Sequence, residues 1–344
     1  MDSEGIRNKE INKWVFIGGA PRSGTSLLQA ILNEHSQCVS PPESHILETF
    51  VYAPVSKIAG IFKEKNQLNT FLKNDKWIHR LGINPEEIVN DLSENADTKE
   101  LFRLYMQRYA SRVNKEILIE GAPLNIWFLK KLNDDFPGCF ILHIVRDPRD
   151  VVMSTHNAAY TKKFDFPTTQ VAKQFMESYL QSVRFSSLYG SRYFKIYYEE
   201  LVSDPEKVIR SICDFIAIKF EAGMLDFHNS SQKVSGSEEV WKENLTKPFL
   251  KDNFGKWKNA LNQKDLIRIE HICSEFFELE NRHYKKSDAR LKAGFFRSLA
   301  NLYGYYVLEV KKRARTFVNW RQTNVQLDSK PSNERLRVNG FLKK

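Results

Sequence analysis

The run Gly18-Gly19-Ala20-Pro21-Arg22-Ser23-Gly24-Thr25-Ser26 lies between an apolar tetrapeptide, Trp14-Val15-Phe16-Ile17, and an apolar helical stretch. Its glycines let the backbone fold tightly around an anion. A helix starting at Thr25 would turn its free N–H groups and positive dipole end toward that anion. Thr25 and Ser26 add hydroxyl donors. The spacing Gly19-x4-Gly24 is that of a nucleoside-triphosphate loop, but the lysine position of such a loop holds Thr25. The cation stands earlier, at Arg22, which suits a shorter anionic group than a triphosphate.

A second constellation is Val145-Arg146-Asp147-Pro148-Arg149-Asp150-Val151-Val152-Met153-Ser154. It closes one apolar run and opens a helical pattern. A guanidinium fork at Arg146 matches a phosphate, and the Ser154 hydroxyl, eight residues on, can reach the same oxygens. Taken alone, Arg146, Asp147, Arg149 and Asp150 read better as a solvated salt-bridge cluster; beside the first loop, the phosphate reading is the stronger. The third constellation is Pro41-Pro42-Glu43-Ser44-His45, which follows the first helix and offers two candidate bases. A carboxylate next to a bound anion has its pKa pushed up toward neutrality, and an imidazole needs little tuning.

Pro21-Arg22-Ser23-Gly24-Thr25-Ser26 resembles the 5'-phosphosulfate loop of sulfotransferases that use 3'-phosphoadenosine 5'-phosphosulfate (PAPS). The resemblance is closest to the branch of tyrosylprotein and bacterial sulfotransferases, and it covers residues 13–280. It implies a three-layer, P-loop-like α/β fold and sulfuryl transfer from PAPS to an acceptor hydroxyl or amine, without a metal. It also implies residue roles. Pro21 to Ser26 would bind the 5' end of the donor, with Arg22 stabilising the transferring group. Arg146 and Ser154 would bind the 3'-phosphate. Tyr198, in Tyr197-Tyr198-Glu199-Glu200-Leu201, would lie near the adenine. Lys251 and Lys256, before Trp257-Lys258-Asn259, would neutralise the 3'-phosphate. Glu43 would be the base, with His45 its rival. The chain departs from the pattern at Ile119-Glu120-Gly121-Ala122-Pro123, where relatives often carry lysine at the position of Gly121. Either another cation, Lys247 or Lys251, then supplies that charge, or activity is weak.

Positioning these residues calls for a parallel sheet. Apolar runs at 14–17, 117–119, 139–145 and 193–198 read as buried strands. Helical patterns at 25–33, 124–135, 148–158, 171–188 and 205–215 alternate with them, which defines an α/β fold with both sheet faces covered. Residues 44–115 interrupt the alternation as a mostly helical insertion, suited to a lid or acceptor pocket. Within it, Asp97 and Glu100 predict a capping box for a helix over 98–113.

Composition sets the frame. Of 344 residues, 42% are hydrophobic and 27% charged, the balance of a globular protein with a sizeable core. No apolar run reaches the ~20 residues that span a bilayer, and residues 1–13 do not read as a signal peptide. Cys38, Cys139, Cys213 and Cys273 form no CxxC pair, which speaks against zinc and for a reducing, cytoplasmic setting. The formal charge of +10 is local: residues 284–344 hold 15 Lys and Arg against 4 Asp and Glu, and the rest holds 37 against 38. The expected organisation is therefore a catalytic domain over 1–283 and a basic, partly helical extension over 284–344. That extension would pack on the domain or a second subunit, as in a homodimer, or contact an anionic membrane surface peripherally. A near-neutral body without a basic stripe argues against nucleic acid. The expected acceptor is a small molecule, lipid or glycan. The alternatives are a small-molecule kinase, disfavoured by Thr25, and a non-catalytic polyanion or nucleotide binder.

Overall fold

A computed structural model describes residues 10–42, 46–47, 64–158, 167–229 and 245–287. Glu43, His45, and the basic stretch beyond residue 287 lie outside the described residues, so the membrane and dimer expectations rest on sequence alone.

Five parallel strands form one sheet: β1 (Lys13–Gly19), β2 (Cys38–Val39), β3 (Ile117–Gly121), β4 (Phe140–Val145) and β5 (Tyr193–Tyr197), in the order β2-β3-β1-β4-β5. Side chains alternate across the pleat. Phe16 therefore enters a core with Phe102 and Phe136, its ring centroid 5.1 Å from that of Phe136. Its neighbours Val15 and Ile17 enter the opposite core. Burial on both faces is why these strands read as continuous apolar runs. The α/β architecture, with helices on both sides of a parallel sheet, is the one the sequence predicts.

On the Val15 face, α1 (Thr25–Asn33) contributes Leu28, Ile31 and Leu32. On the Phe16 face lie α2 (Lys65–Asn74), α3 (Pro85–Asp91), α4 (Thr98–Arg112) and α5 (Leu129–Asp135). The described part of the insertion thus builds core, through Leu68, Leu72, Ile88, Leu101 and Phe102. Beyond β4, α6 (Pro148–Asn157) and α7 (Thr168–Phe185) share a third cluster with α10 (Gln263–Ile272) and α11 (Ser274–Leu279), centred on Phe175 and Phe276. Between these pairs run α8 (Tyr198–Ser203) and α9 (Pro205–Phe215).

Three local expectations change. Asp97 does cap α4, accepting from the N–H groups of Lys99 and Glu100. Glu100 does not close the box, however; it reaches back to the Ser93 N–H and hydroxyl, both at 2.7 Å. The single helix expected over 124–135 is a 3₁₀ segment, Pro123–Phe128, followed by α5. Pro123 lacks a donor, and the buried Asn125 amide bonds the Ile17 carbonyl at 3.0 Å, which holds that first stretch tight against β1. Finally, Tyr198 does not end the last strand but opens α8, where it is buried.

Candidate active site

The sheet order places the end of β1 between β3 and β4, so the loop after β1 opens where the connections diverge to either side. Ala20 to Gly24 make a tight turn there. Ser23 N–H bonds Ala20 O, Arg22 has φ +71° and Gly24 has φ +107°. The left-handed region is open to glycine but strained for arginine, and strain of that kind gathers at functional loops. A Cβ at Gly24 would also lie 2.6 Å from Tyr198 Cδ2, so this position needs glycine for space as well as for φ. The N-terminus of α1 carries no side-chain cap and no acid in its first turn. Ser23 is fully buried, and its hydroxyl has no hydrogen-bond partner. An uncapped helix start beside an orphaned buried hydroxyl has donors free to meet an anion.

The second motif meets this loop directly. Arg22 Nε donates to Ser154 Oγ at 3.2 Å. Arg146 Nη1 donates to the Arg22 carbonyl at 3.1 Å and Nη2 to the Asn253 carbonyl at 2.7 Å, while its guanidinium lies 4.2 Å from the Tyr198 ring centroid. The structure therefore brings together Arg22, the Arg146–Ser154 motif and Tyr198, three separate parts of the sequence. Thr25 is buried, Ser26 half-buried and Pro21 exposed on the loop's rim. Lys256 joins through its ammonium, which bonds Asn253 Oδ1 at 2.8 Å. Lys247 and Lys251 are exposed nearby in sequence.

The Arg-Asp-Pro-Arg-Asp cluster is not solvated: relative exposures are 5% for Arg146, 6% for Asp147, 3% for Arg149 and 0% for Asp150. Each member has a structural partner. Arg149 pairs with Asp147 at 2.6 Å and with Glu270 at 2.7 Å, and its guanidinium covers Trp257 at 3.8 Å. Burial works against the Arg149 charge, but these two carboxylates outweigh it and hold the group above its usual pKa. Asp150 accepts the backbone N–H groups of Gly255 at 2.5 Å and Trp257 at 3.1 Å. Burial raises its carboxyl above the ordinary value, against the pull of the Gly255 N–H and Arg146.

Sequence reasoning missed Asn253 and Gln29 as parts of this region and gave Asp150 no role in holding residues 255–257. Gln29 explains Gly121. A Cβ on Gly121 would fall 2.7 Å from Gln29 Cδ. The Gln29 amide is buried and donates to the Pro41 carbonyl at 3.0 Å, just ahead of Glu43. Gln29 thus fills the space that a side chain at 121 would need. Gly121→Lys is expected to cost about 1–3 kcal/mol by overpacking, read from denaturant midpoints. Gln29→Ala should relieve part of that cost in the double variant. Strict additivity of the two losses would mean that Gln29 does not set the space.

Among the described residues, no group of three or more His, Cys, Asp or Glu could hold a metal ion, and no helix is long and apolar enough to cross a membrane.

With loop, buried arginine and parallel sheet in place, the comparison with known proteins is direct: residues 15–222 match the model of the sulfotransferase family, and the chain belongs to that family. It is 25% identical over 265 residues to protein-tyrosine sulfotransferase A of Caenorhabditis elegans, covering 76% of this chain and 65% of that protein. It is 22% identical over 283 residues to an uncharacterized protein of Aquifex aeolicus, covering 79% of this chain and 34% of that one. The chain thus spans less than two thirds of the length of either relative. Its fold resembles that of the sulfotransferase domain from the Synechococcus PCC 7002 olefin synthase, with a TM-score of 0.56 at 23% identity, covering 78% of this chain and 96% of that domain.

Proposed function

We propose that this chain transfers the sulfuryl group of PAPS to a hydroxyl or amine of a small-molecule, lipid or glycan acceptor. The observation that carries the reading is the uncapped start of α1 beside the orphaned Ser23 hydroxyl, with Arg22 and Ser154 in contact above the same loop. PAPS supplies the sulfuryl group and a leaving nucleotide. The chain's own residues hold charge and move a proton. The α1 N-terminus, the loop N–H groups and Arg22 hold the negative charge of the 5' end. Arg146, Ser154 and the Lys251–Lys256 stretch face the charge of the 3'-phosphate. Arg146 spends one N–H of each terminal nitrogen on a carbonyl, leaving a second on each. Glu43 takes the proton of the attacking group, with His45 the rival, and the new bond to sulfur forms in line with the one that breaks.

Adenosine 3',5'-bisphosphate should raise the melting temperature, whereas ATP with magnesium should not. The reverse pattern would make this a kinase. Arg146→Ala should weaken adenosine 3',5'-bisphosphate by about 1.5–3 kcal/mol, the scale of a charge-assisted bond. It should leave adenosine 5'-monophosphate nearly unchanged. Equal losses for both ligands would show that Arg146 acts only by clamping the Arg22 and Asn253 backbones.

A further inference from the structure

Residues 250–257 return to the loop from a remote part of the chain, and three side chains of the Arg-Asp-Pro-Arg-Asp motif hold them in place. Asp150 fixes the far end through Gly255 N–H and Trp257 N–H. Gly255 has φ +68°, a left-handed turn that lets both N–H groups face one carboxylate. Arg149, lying over the Trp257 ring, secures the residue that follows. Arg146 fixes the near end through the Asn253 carbonyl.

Asn253 sits at the centre of this return and uses every polar group it has. Its carbonyl accepts from Arg146 Nη2 at 2.7 Å. Its amide nitrogen donates to the Tyr198 hydroxyl at 2.7 Å. Its amide oxygen accepts from Lys256 Nζ at 2.8 Å. The chain of contact then continues without a gap. The Tyr198 ring packs under the Arg146 guanidinium and against Gly24, and Arg146 Nη1 holds the Arg22 carbonyl. One half-buried side chain thus orients an aromatic hydroxyl on one side and an ammonium on the other.

We infer that Asn253 is a positioning residue for the donor nucleotide, coupling the surface that Tyr198 offers the base to the cations that meet the 3'-phosphate. This rests on the PAPS reading. With Asn253 in place, Lys256 is held on the segment whose carbonyl Arg146 binds rather than left to sweep through solvent. Less side-chain freedom is then lost when a phosphate arrives. The Tyr198 hydroxyl, held by the same amide, keeps its ring under Arg146. The array discriminates a nucleoside 3',5'-bisphosphate from a 5'-monophosphate by pre-setting the groups, and Asn253 itself need not touch the ligand.

The test is calorimetric titration of adenosine 3',5'-bisphosphate and adenosine 5'-monophosphate into the wild type, Asn253→Ala, Tyr198→Phe and the double variant. Asn253→Ala keeps the carbonyl that Arg146 uses, so it removes only the coupling side chain. It should shrink the affinity ratio between the two ligands roughly five- to tenfold, the worth of one or two net hydrogen bonds, mainly by weakening the bisphosphate. Tyr198→Phe should reproduce part of that loss, and the double variant should lose little more than Asn253→Ala alone. Equal weakening of both ligands, an unchanged ratio, or fully additive losses would each overturn the positioning role. A wild type that does not prefer the bisphosphate would instead overturn the PAPS reading beneath it.

Discussion

Replacing Arg149 with alanine should destabilise the fold by about 3–5 kcal/mol, the cost of removing one member of a buried ion-paired group. Arg149 is 3% exposed and lies between Asp147 and Glu270, themselves 6% exposed. Asp147 meets the guanidinium at both oxygens, with Nε at 2.9 and 3.2 Å and Nη2 at 2.6 Å. Glu270 is shared with Ser287, whose N–H and hydroxyl bond it at 2.8 and 2.9 Å. Without the arginine, two carboxylates would stay buried with their positive partner gone, and Trp257 would lose its cover. Urea denaturation of wild type and variant measures the loss. A loss below about 1 kcal/mol would show that water reaches these groups and that the cluster is not a structural unit.

Glu43→Gln should lower turnover by on the order of 10²–10⁴ while leaving the affinity for adenosine 3',5'-bisphosphate nearly unchanged, as expected when a general base is removed. The substitution keeps shape and removes the proton acceptor. Arg22→Ala should behave differently, lowering both affinity and turnover, because Arg22 belongs to the loop and touches Ser154. Upstream of Glu43 in sequence, Gln29 tethers the Pro41 carbonyl. Loss of that tether should therefore mimic part of the Glu43 defect. The assay is transfer from radiolabelled PAPS to an acceptor found by screening. Wild-type turnover in Glu43→Gln together with loss in His45→Ala would move the base to His45.

The sequence by itself determined the features that depend on neighbours along the chain. Strands β1, β3 and β4 are legible because a strand buried on both faces must be apolar at nearly every position; β5, half-buried at the sheet edge, is legible from its aromatic and β-branched run despite Lys195. The loop is legible because glycine, hydroxyl and arginine fall at one strand–helix junction, where backbone N–H groups are free. Helices α1 and α9 follow from apolar spacing, and the Asp97 cap from its place one residue before α4. Strand β2, two residues long, is too short for any period to announce it.

Only the tertiary structure decided the partners of charged and amide groups. Arg146 read in sequence as a candidate for a phosphate, but nothing local says that it would hold Arg22 and Asn253 carbonyls 124 and 107 positions away. Asp150 and Arg149 could equally have faced solvent. They are buried because α6 packs under residues 255–257 and beside α10. Gly121 read as a missing cation, and the structure shows it as the room taken by Gln29. The physical reason is common to all three. Backbone conformation answers to local sterics and periodicity. A long polar side chain, by contrast, can reach several acceptors at similar cost, and the choice falls to whichever burial leaves the fewest polar groups unpaired.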